Sequence, residues 1–499
     1  MRNRFQFLLP VLDYLGALLW TSGFVLFVPL VVLAIYRKSE YGEVNPFSFI
    51  IPAILALALG LVLKRSPKFK PLDSRGAMLL CVIGWIVVSA IGALPLFISG
   101  TAGYLDSFFE AVSGFTTTGI TMLSNLGEMP RSILFWRALM QWLGGLGILA
   151  FFLAVASAGR SAHALFRAES HKIFSERPAP GLFHTLKILW SIYVLFTLVI
   201  TGLLTVEGMS VFDAVSHSMT ALATGGYSPH DQSIGYYAAH ANLYPHYVLI
   251  EYTVILAMLL GGLNFFIHYR ALTGGVRALW DNAETRLFWL FLAGATVLVM
   301  TGCLVRPGSE GAGTTFRHSL FQVVSVMTTT GFGTKDIGGA WFAGWAKQVF
   351  LVLMIVGGCV GSTAGGFKVL RIGVLFEMVR QQLRRVIHGR SLVNLVTVDG
   401  HEIDQEELRR IAALFFAWML LLFIGGGVTA LLSDHGPLES ASGMFSALGN
   451  IGPCYISAGP VNEMAQLHPI SILPYILGML AGRLEILPVL LLFSRRTWR

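Results

Sequence analysis

Long apolar runs dominate the chain. Charge-poor stretches able to cross a bilayer, which takes about 20 helical residues, fall at 14–36, 46–63, 77–98, 132–157, 187–206, 246–268, 286–305, 341–377, 410–432 and 469–493. This pattern predicts an all-α integral membrane protein with ten spans. The stretch 341–377 is too long and too rich in glycine to be one straight helix. Between two of the runs lies SGFTTTGITM (113–122), rich in hydroxyls and glycine. Backbone of that kind is tolerated at membrane depth only where protein buries it or where it lines a wet cavity.

The same segment recurs. Aligned on Gly119, Gly226, Gly331 and Gly452, the chain shows DSFFEAVSGFTTTG, DAVSHSMTALATGG, HSLFQVVSVMTTTG and ESASGMFSALGNIG, opening on Asp106, Asp213, His318 and Glu439. The intervals between the glycines are 107, 105 and 121 residues. Each segment follows a charge-free span and precedes one carrying an ionisable group: Arg137, Glu251, Lys347, or Arg483 with Glu485. About ten helix-compatible residues precede each tip, half of what a crossing needs. The leading residue reads as an N-cap or first-turn group. The predicted unit is span, half-helix, filter loop, span. It divides the chain into two leading transmembrane helices (1–70), pore repeat 1 (71–160), pore repeat 2 (161–275), pore repeat 3 with a broken second span (276–390) and pore repeat 4 (391–499).

Four such tips around one axis present rings of carbonyls and hydroxyls to a narrow central pore. Rings of this kind replace the hydration shell of a monovalent cation. The half-helices aim their partially negative C-terminal ends at the cavity below. The candidate filter is Thr116, Thr117, Thr118 and Gly119; Ala223, Thr224, Gly225 and Gly226; Thr328, Thr329, Thr330 and Gly331; Gly449, Asn450, Ile451 and Gly452. No carboxylate occurs in these tips, which suits K⁺ or Na⁺ better than Ca²⁺ or Mg²⁺.

Composition supports a membrane class: 55% hydrophobic and 12% charged residues, about half the charge of a soluble domain. The net charge of +8 raises the question of nucleic acid, but its distribution answers it. With both termini inside, the inner connections hold 26 of the 35 Lys and Arg, and the loops 207–245 and 433–468 hold none. The basic excess is therefore topological. No nucleic-acid module or aromatic interleaving accompanies it. The N-terminus lacks a small-residue cleavage site and reads as a cytoplasmic lead-in. Cys81, Cys303, Cys359 and Cys454 have neither disulfide nor metal spacing.

At these residues the chain resembles the TrkH/KtrB superfamily of potassium uptake proteins. The resemblance covers nearly the whole chain and rests on SGFTTTGIT (113–121), ALATGGYS (221–228), MTTTGFGT (327–334), ALGNIGP (447–453), LLGGLNFFIHYR (259–270), GGCVGSTAGGFKVLR (357–371) and MLAGRLEILPV (479–489). The two leading spans resemble the TrkH branch. The resemblance implies the membrane subunit of a K⁺ uptake system in a bacterial inner membrane, a homodimer with one pore per protomer and no bound cofactor. It also implies a cytosolic nucleotide-binding regulatory subunit, since this chain has no GxGxxG of its own. Within the family, glycine at the first tip accompanies K⁺ preference, and all four tips here carry glycine. The fourth departs from threonine at Asn450 and Ile451, so the ring is not symmetric.

The loop GGCVGSTAGGF (357–367) is not a phosphate loop, because Phe367 follows Gly366 where lysine is required. It reads either as close helix packing through small residues or as a flexible gate built on Gly357, Gly358, Gly361, Ser362, Thr363, Gly365 and Gly366; the family's corresponding stretch is regarded as the gate. Arg483, inside an apolar span, is costly unless partnered or facing water. It is read as facing the pore, with a structural pair to Glu485 as the alternative. Arg137 and Glu251 are read as partners between spans, and His318 as a cap. Two rival classes remain. A proton- or Na⁺-coupled symporter needs a titratable group in the path, and an intramembrane hydrolase needs a nucleophile motif that is missing around Ser362. The basic connections 158–187 and 376–410 suit anionic headgroups or the regulatory subunit.

Overall fold

The computed structural model describes residues 8–37, 44–64, 72–147, 182–306, 310–388, 396–456, 464 and 467–495. The end of the predicted span 132–157 and most of the connection 158–187 lie outside this set, as do Arg2, Arg4, Arg496 and Arg499. The described chain is helical except for a hairpin, Thr397–Val398 against His401–Glu402. Its Asp399-Gly400 turn has positive φ at both residues, 48° and 80°, as a two-residue hairpin demands.

First and second spans behave differently. The leading helix and the first span of every repeat are long and apolar enough to cross a bilayer: Leu8–Ile35, Arg75–Ile98, His184–Val206, Ala283–Leu304 and Gln405–Leu432. Several are capped from the sequence. Asp73 accepts from the Gly76 N–H at 2.7 Å, and Asn282 from Thr285 at 2.7 Å. The helix from Gln405 begins with Glu406 and Glu407, acids that suit the positive end of its dipole.

The second spans are interrupted. The first ends as a helix at Gly145 (Arg131–Gly145). The second bends by 103° between Tyr247–Gly262 and Phe265–Gly274, where the Asn264 side chain caps the new helix by accepting from Phe266 N–H at 2.8 Å. The third stops at Val356 and resumes at Val369. The fourth is interrupted at Glu485, φ 64°, between Pro469–Leu484 and Ile486–Phe493. Reading 246–268 and 469–493 as single helices is thereby corrected: each is two helices.

Four half-helices lie between the spans: Tyr104–Phe115, Val211–Leu222, Ala312–Met327 and Pro437–Gly449. Asp106, Asp213 and Glu439 sit in their first turns. Glu439 accepts from the Gly436 N–H at 2.8 Å, and Ser210 from Asp213 at 3.1 Å. His318 is not a cap. The third half-helix begins earlier, at Ala312, and the His318 ring bonds the Thr334 hydroxyl at 2.9 Å.

The apolar core forms two arcs. One unites the leading helices with repeats 1 and 4, through residues such as Trp85, Trp136 and Tyr475. The other unites repeats 2 and 3, through Tyr193, Phe265 and Phe288. The four tips meet between them.

Candidate ion pathway

Each half-helix ends in the same way. Thr118 N–H donates to Ser113 C=O at 2.9 Å and Thr117 N–H to Gly114 C=O at 3.0 Å; Gly225 and Thr224 repeat this with Thr220 and Ala221, Thr330 and Thr329 with Ser325 and Val326, Ile451 and Asn450 with Ser446 and Ala447. This is the Schellman pattern, which puts one residue in the left-handed region. Those residues are Thr117, Thr224, Thr329 and Asn450, with φ of 54°, 52°, 55° and 53°. A β-branched residue there is strained, so three threonines hold their places against local preference. Asparagine tolerates this conformation far better. The fourth tip's departure from threonine therefore leaves the backbone path unchanged.

Two residues on, Gly119, Gly226, Gly331 and Gly452 again have positive φ, 82°, 76°, 89° and 104°. A methyl group on Gly119 would lie 2.1 Å from the Gly225 carbonyl oxygen, on Gly226 2.0 Å from that of Thr330, on Gly331 2.0 Å from that of Ile451, and on Gly452 3.0 Å from that of Thr118. Each glycine thus abuts the carbonyl that precedes the next glycine, and the fourth returns to the first. The tips close a ring. All four glycines line one cavity of about 420 Å³, whose walls also carry Asp231 and Asp336.

A polar layer braces the ring from behind. The residue nine before each glycine is Glu110, His217, Gln322 or Gly443. Glu110 accepts from the Thr121 hydroxyl at 3.0 Å and the Met122 N–H at 3.1 Å, His217 bonds the Ser228 hydroxyl at 3.1 Å, and Gln322 donates to Phe332 C=O at 3.4 Å. In the fourth repeat the Tyr475 hydroxyl fills the space beside Gly443, and Ser446 accepts from Gly452 N–H at 3.0 Å. Arg137 pairs with Glu110 at 2.8 Å and donates to Ser228 C=O at 3.3 Å, joining repeats 1 and 2. Sequence reasoning missed Glu110, Gln322 and Gln141 and assigned no role to His217. Their common offset from the glycine was the available signal for all but Gln141.

The glycine loop presses on the other side of the ring. Thr363 donates to Leu222 C=O at 2.8 Å and lies 3.2 Å from the Thr224 hydroxyl. Gly365 N–H donates to the Thr329 hydroxyl at 2.6 Å, and a methyl on Gly365 would meet Gly449 C=O at 2.5 Å. The loop therefore reaches tips 2, 3 and 4. Arg483 takes tip 1, donating to the Thr117 hydroxyl at 3.2 Å, to Thr363 C=O at 2.6 Å and to the carbonyls of Gly144 and Gly145 at 2.5 and 2.6 Å. Gly357, Gly361 and Gly366 have positive φ, and Gly358 packs on Gly262 C=O and the Ser362 hydroxyl. Glu284 holds the loop from below, accepting from Val360 N–H at 2.6 Å, and the Lys368 ammonium donates to Ala364 C=O.

Two further carboxylates are paired. Glu251 meets Arg317 at 2.9 Å and Glu485 meets Arg371 at 2.9 Å. Glu485 thus meets Arg371 on helix Val369–His388, while Arg483 bonds Thr117, Thr363, Gly144 and Gly145. Arg137 and Glu251 are not partners between spans: each pairs with a half-helix residue, Glu110 and Arg317.

A family model described as cation transport protein, TrkH, matches residues 45–498. The chain is 32% identical to the Trk system potassium uptake protein TrkH of Salmonella typhimurium over 97% of its own length and 98% of that protein. It is 31% identical to an uncharacterized cation transporter of Methanocaldococcus jannaschii, over 97% and 95% of the two chains. The crystal structure of the potassium transporter TrkH from Vibrio parahaemolyticus superposes with a TM-score of 0.85 at 28% identity, covering 100% of both chains. With its ring of re-entrant tips and its nearly full-length likeness to these transporters, the chain belongs to the TrkH family of cation transport proteins.

Proposed function

We propose that this protein takes up potassium ions through the ring of four tips, by a gated, channel-like route in which carbonyl and hydroxyl oxygens replace the water the ion sheds. The observation that carries the reading is the closed sequence of glycine–carbonyl contacts from Gly119 to Gly452. The 420 Å³ cavity is the vestibule. Thr116 to Gly119, Ala223 to Gly226, Thr328 to Gly331 and Gly449 to Gly452 form the filter; residues 357–367 with Arg483 form the gate. The relatives named as potassium uptake proteins support K⁺ as the ion. No tip residue is ionisable, which favours passage over proton-coupled symport. By the Lys and Arg partition both termini face the cytoplasm of a bacterial inner membrane. By family resemblance the protein works as a homodimer beside a nucleotide-binding regulatory subunit.

The test is flux into liposomes holding the purified protein, measured for Rb⁺, K⁺ and Na⁺ with and without a pH gradient. Passive uptake of K⁺ and Rb⁺ exceeding that of Na⁺ is the expected result. Uptake that vanishes without the gradient overturns the channel-like route in favour of coupling.

A further inference from the structure

Position 225, just before the second filter glycine, is glycine, where the other tips carry Thr118, Thr330 and Ile451. The cause lies in another repeat. Gln141, fully buried on helix Arg131–Gly145, fills the space: a methyl on Gly225 would lie 2.4 Å from its amide carbon. Two backbone groups fix the amide. Its Oε1 accepts from Tyr227 N–H at 3.0 Å, and its Nε2 donates to Gly225 C=O at 2.6 Å. That carbonyl is the one packed against Gly119 in the ring. Among the described residues, no side-chain donor reaches the equivalent carbonyls of Thr118, Thr330 or Ile451.

We propose that Gln141 is a positioning residue for ion selectivity, acting on the ring through the Gly225 carbonyl. The inference rests on reading the ring as the potassium path. Between Gly225 and Gly226 the peptide has little intrinsic resistance to rotation, and the Gln141 amide sets its orientation. The amide also shares that oxygen's lone pairs, so this oxygen offers a cation a weaker field than its three counterparts. Ring selectivity depends on the number and field strength of carbonyls, and a weaker, immobile oxygen favours the more easily dehydrated K⁺ over Na⁺. Gln141 thus stands in, from repeat 1, for the side chain that tip 2 lacks.

The full-length protein in liposomes tests this through the ratio of Rb⁺ to Na⁺ uptake. Gln141→Ala lowers the ratio by about two- to tenfold, the range spanned by one neutral hydrogen bond. Gln141→Met, which fills the space without donating, lowers it alike and decides the matter if the alanine variant does not fold. Gly225→Thr alone collides with Gln141 and lowers uptake. Combined with Gln141→Ala, it refills the space beside tip 2 and recovers uptake, while the ratio stays low because no donor reaches the residue-225 carbonyl. The inference is overturned if well-folded Ala and Met variants keep the parental ratio. A fall confined to the Ala variant, proportionate losses of both ions, a double variant with no more uptake than Gly225→Thr, or a double variant with the parental ratio also overturns it. Parental protein passing neither Rb⁺ nor K⁺ instead refutes the potassium path itself, and this inference with it.

Discussion

The guanidinium of Arg483 donates to the backbone carbonyl of Thr363 at 2.6 Å, so that a cation carried by the last span holds the middle of the glycine loop. The same side chain reaches the Thr117 hydroxyl of the first tip at 3.2 Å. One residue therefore bonds both the ring and the loop beneath it. A unit charge about 8 Å from a passing cation, at an effective dielectric near 20, repels it by about 2 kcal/mol. Arg483→Ala removes this barrier and one fastening of the loop. Rb⁺ uptake in liposomes is expected to rise by about tenfold or more. Unchanged uptake in a folded variant ends this role for Arg483.

The Thr363 hydroxyl fastens the loop from the opposite side, donating to Leu222 C=O at 2.8 Å and Gly261 C=O at 3.0 Å. Thr363→Val keeps the shape and deletes the hydroxyl, at about 1–3 kcal/mol for the stranded acceptors. Uptake is expected to increase, but less than in Arg483→Ala, whose bond at residue 363 is to the backbone. Because both act on one residue, the double variant should fall short of the product of the single effects. Strict multiplicativity, read from initial uptake rates, contradicts a shared closed arrangement.

The four ring glycines should not be equally sensitive. Alanine at 119, 226 or 331 places its methyl 2.0–2.1 Å from a neighbouring carbonyl oxygen, whereas at 452 the nearest is at 3.0 Å. All four pay for positive φ, so the difference is the collision. Gly452→Ala is expected to retain measurable Rb⁺ uptake while the other three lose it. A Gly452→Ala variant as inactive as Gly331→Ala would show that backbone conformation, not contact around the ring, sets the constraint.

The sequence made the half-helices and tips legible because their period survives in one dimension: thirteen residues from the leading polar group to the glycine, four times. The breaks in the second spans were signalled too, by Gly144–Gly145, Gly261–Gly262, Gly357–Gly358 and Gly482, but only the third was read. A glycine pair inside an apolar run looks the same whether it allows close packing or ends a helix. The polar residues nine before the ring glycines are in frame, yet Glu110, His217 and Gln322 differ in chemistry and do not announce a shared task. Contacts between repeats were out of reach. Gln141 meets Gly225 across 84 residues and Arg371 meets Glu485 across 114, and no period links positions that only the closed ring brings together.

Glu110 and Arg137 test whether the layer behind the ring is structural. Their side chains are 0% and 2% exposed and meet at 2.8 Å. Arg137 also lies 4.1 Å from the Tyr227 ring centroid, and Tyr227 donates to Glu110 C=O at 2.9 Å. Removing one partner leaves an uncompensated buried charge, a loss of about 3–5 kcal/mol. Glu110→Ala and Arg137→Ala should each lower the melting temperature in detergent markedly. The double variant, with no orphaned charge, should lose less than the sum. Additive losses would mean that each side chain is held by its other neighbours and that the pair does not join repeats 1 and 2.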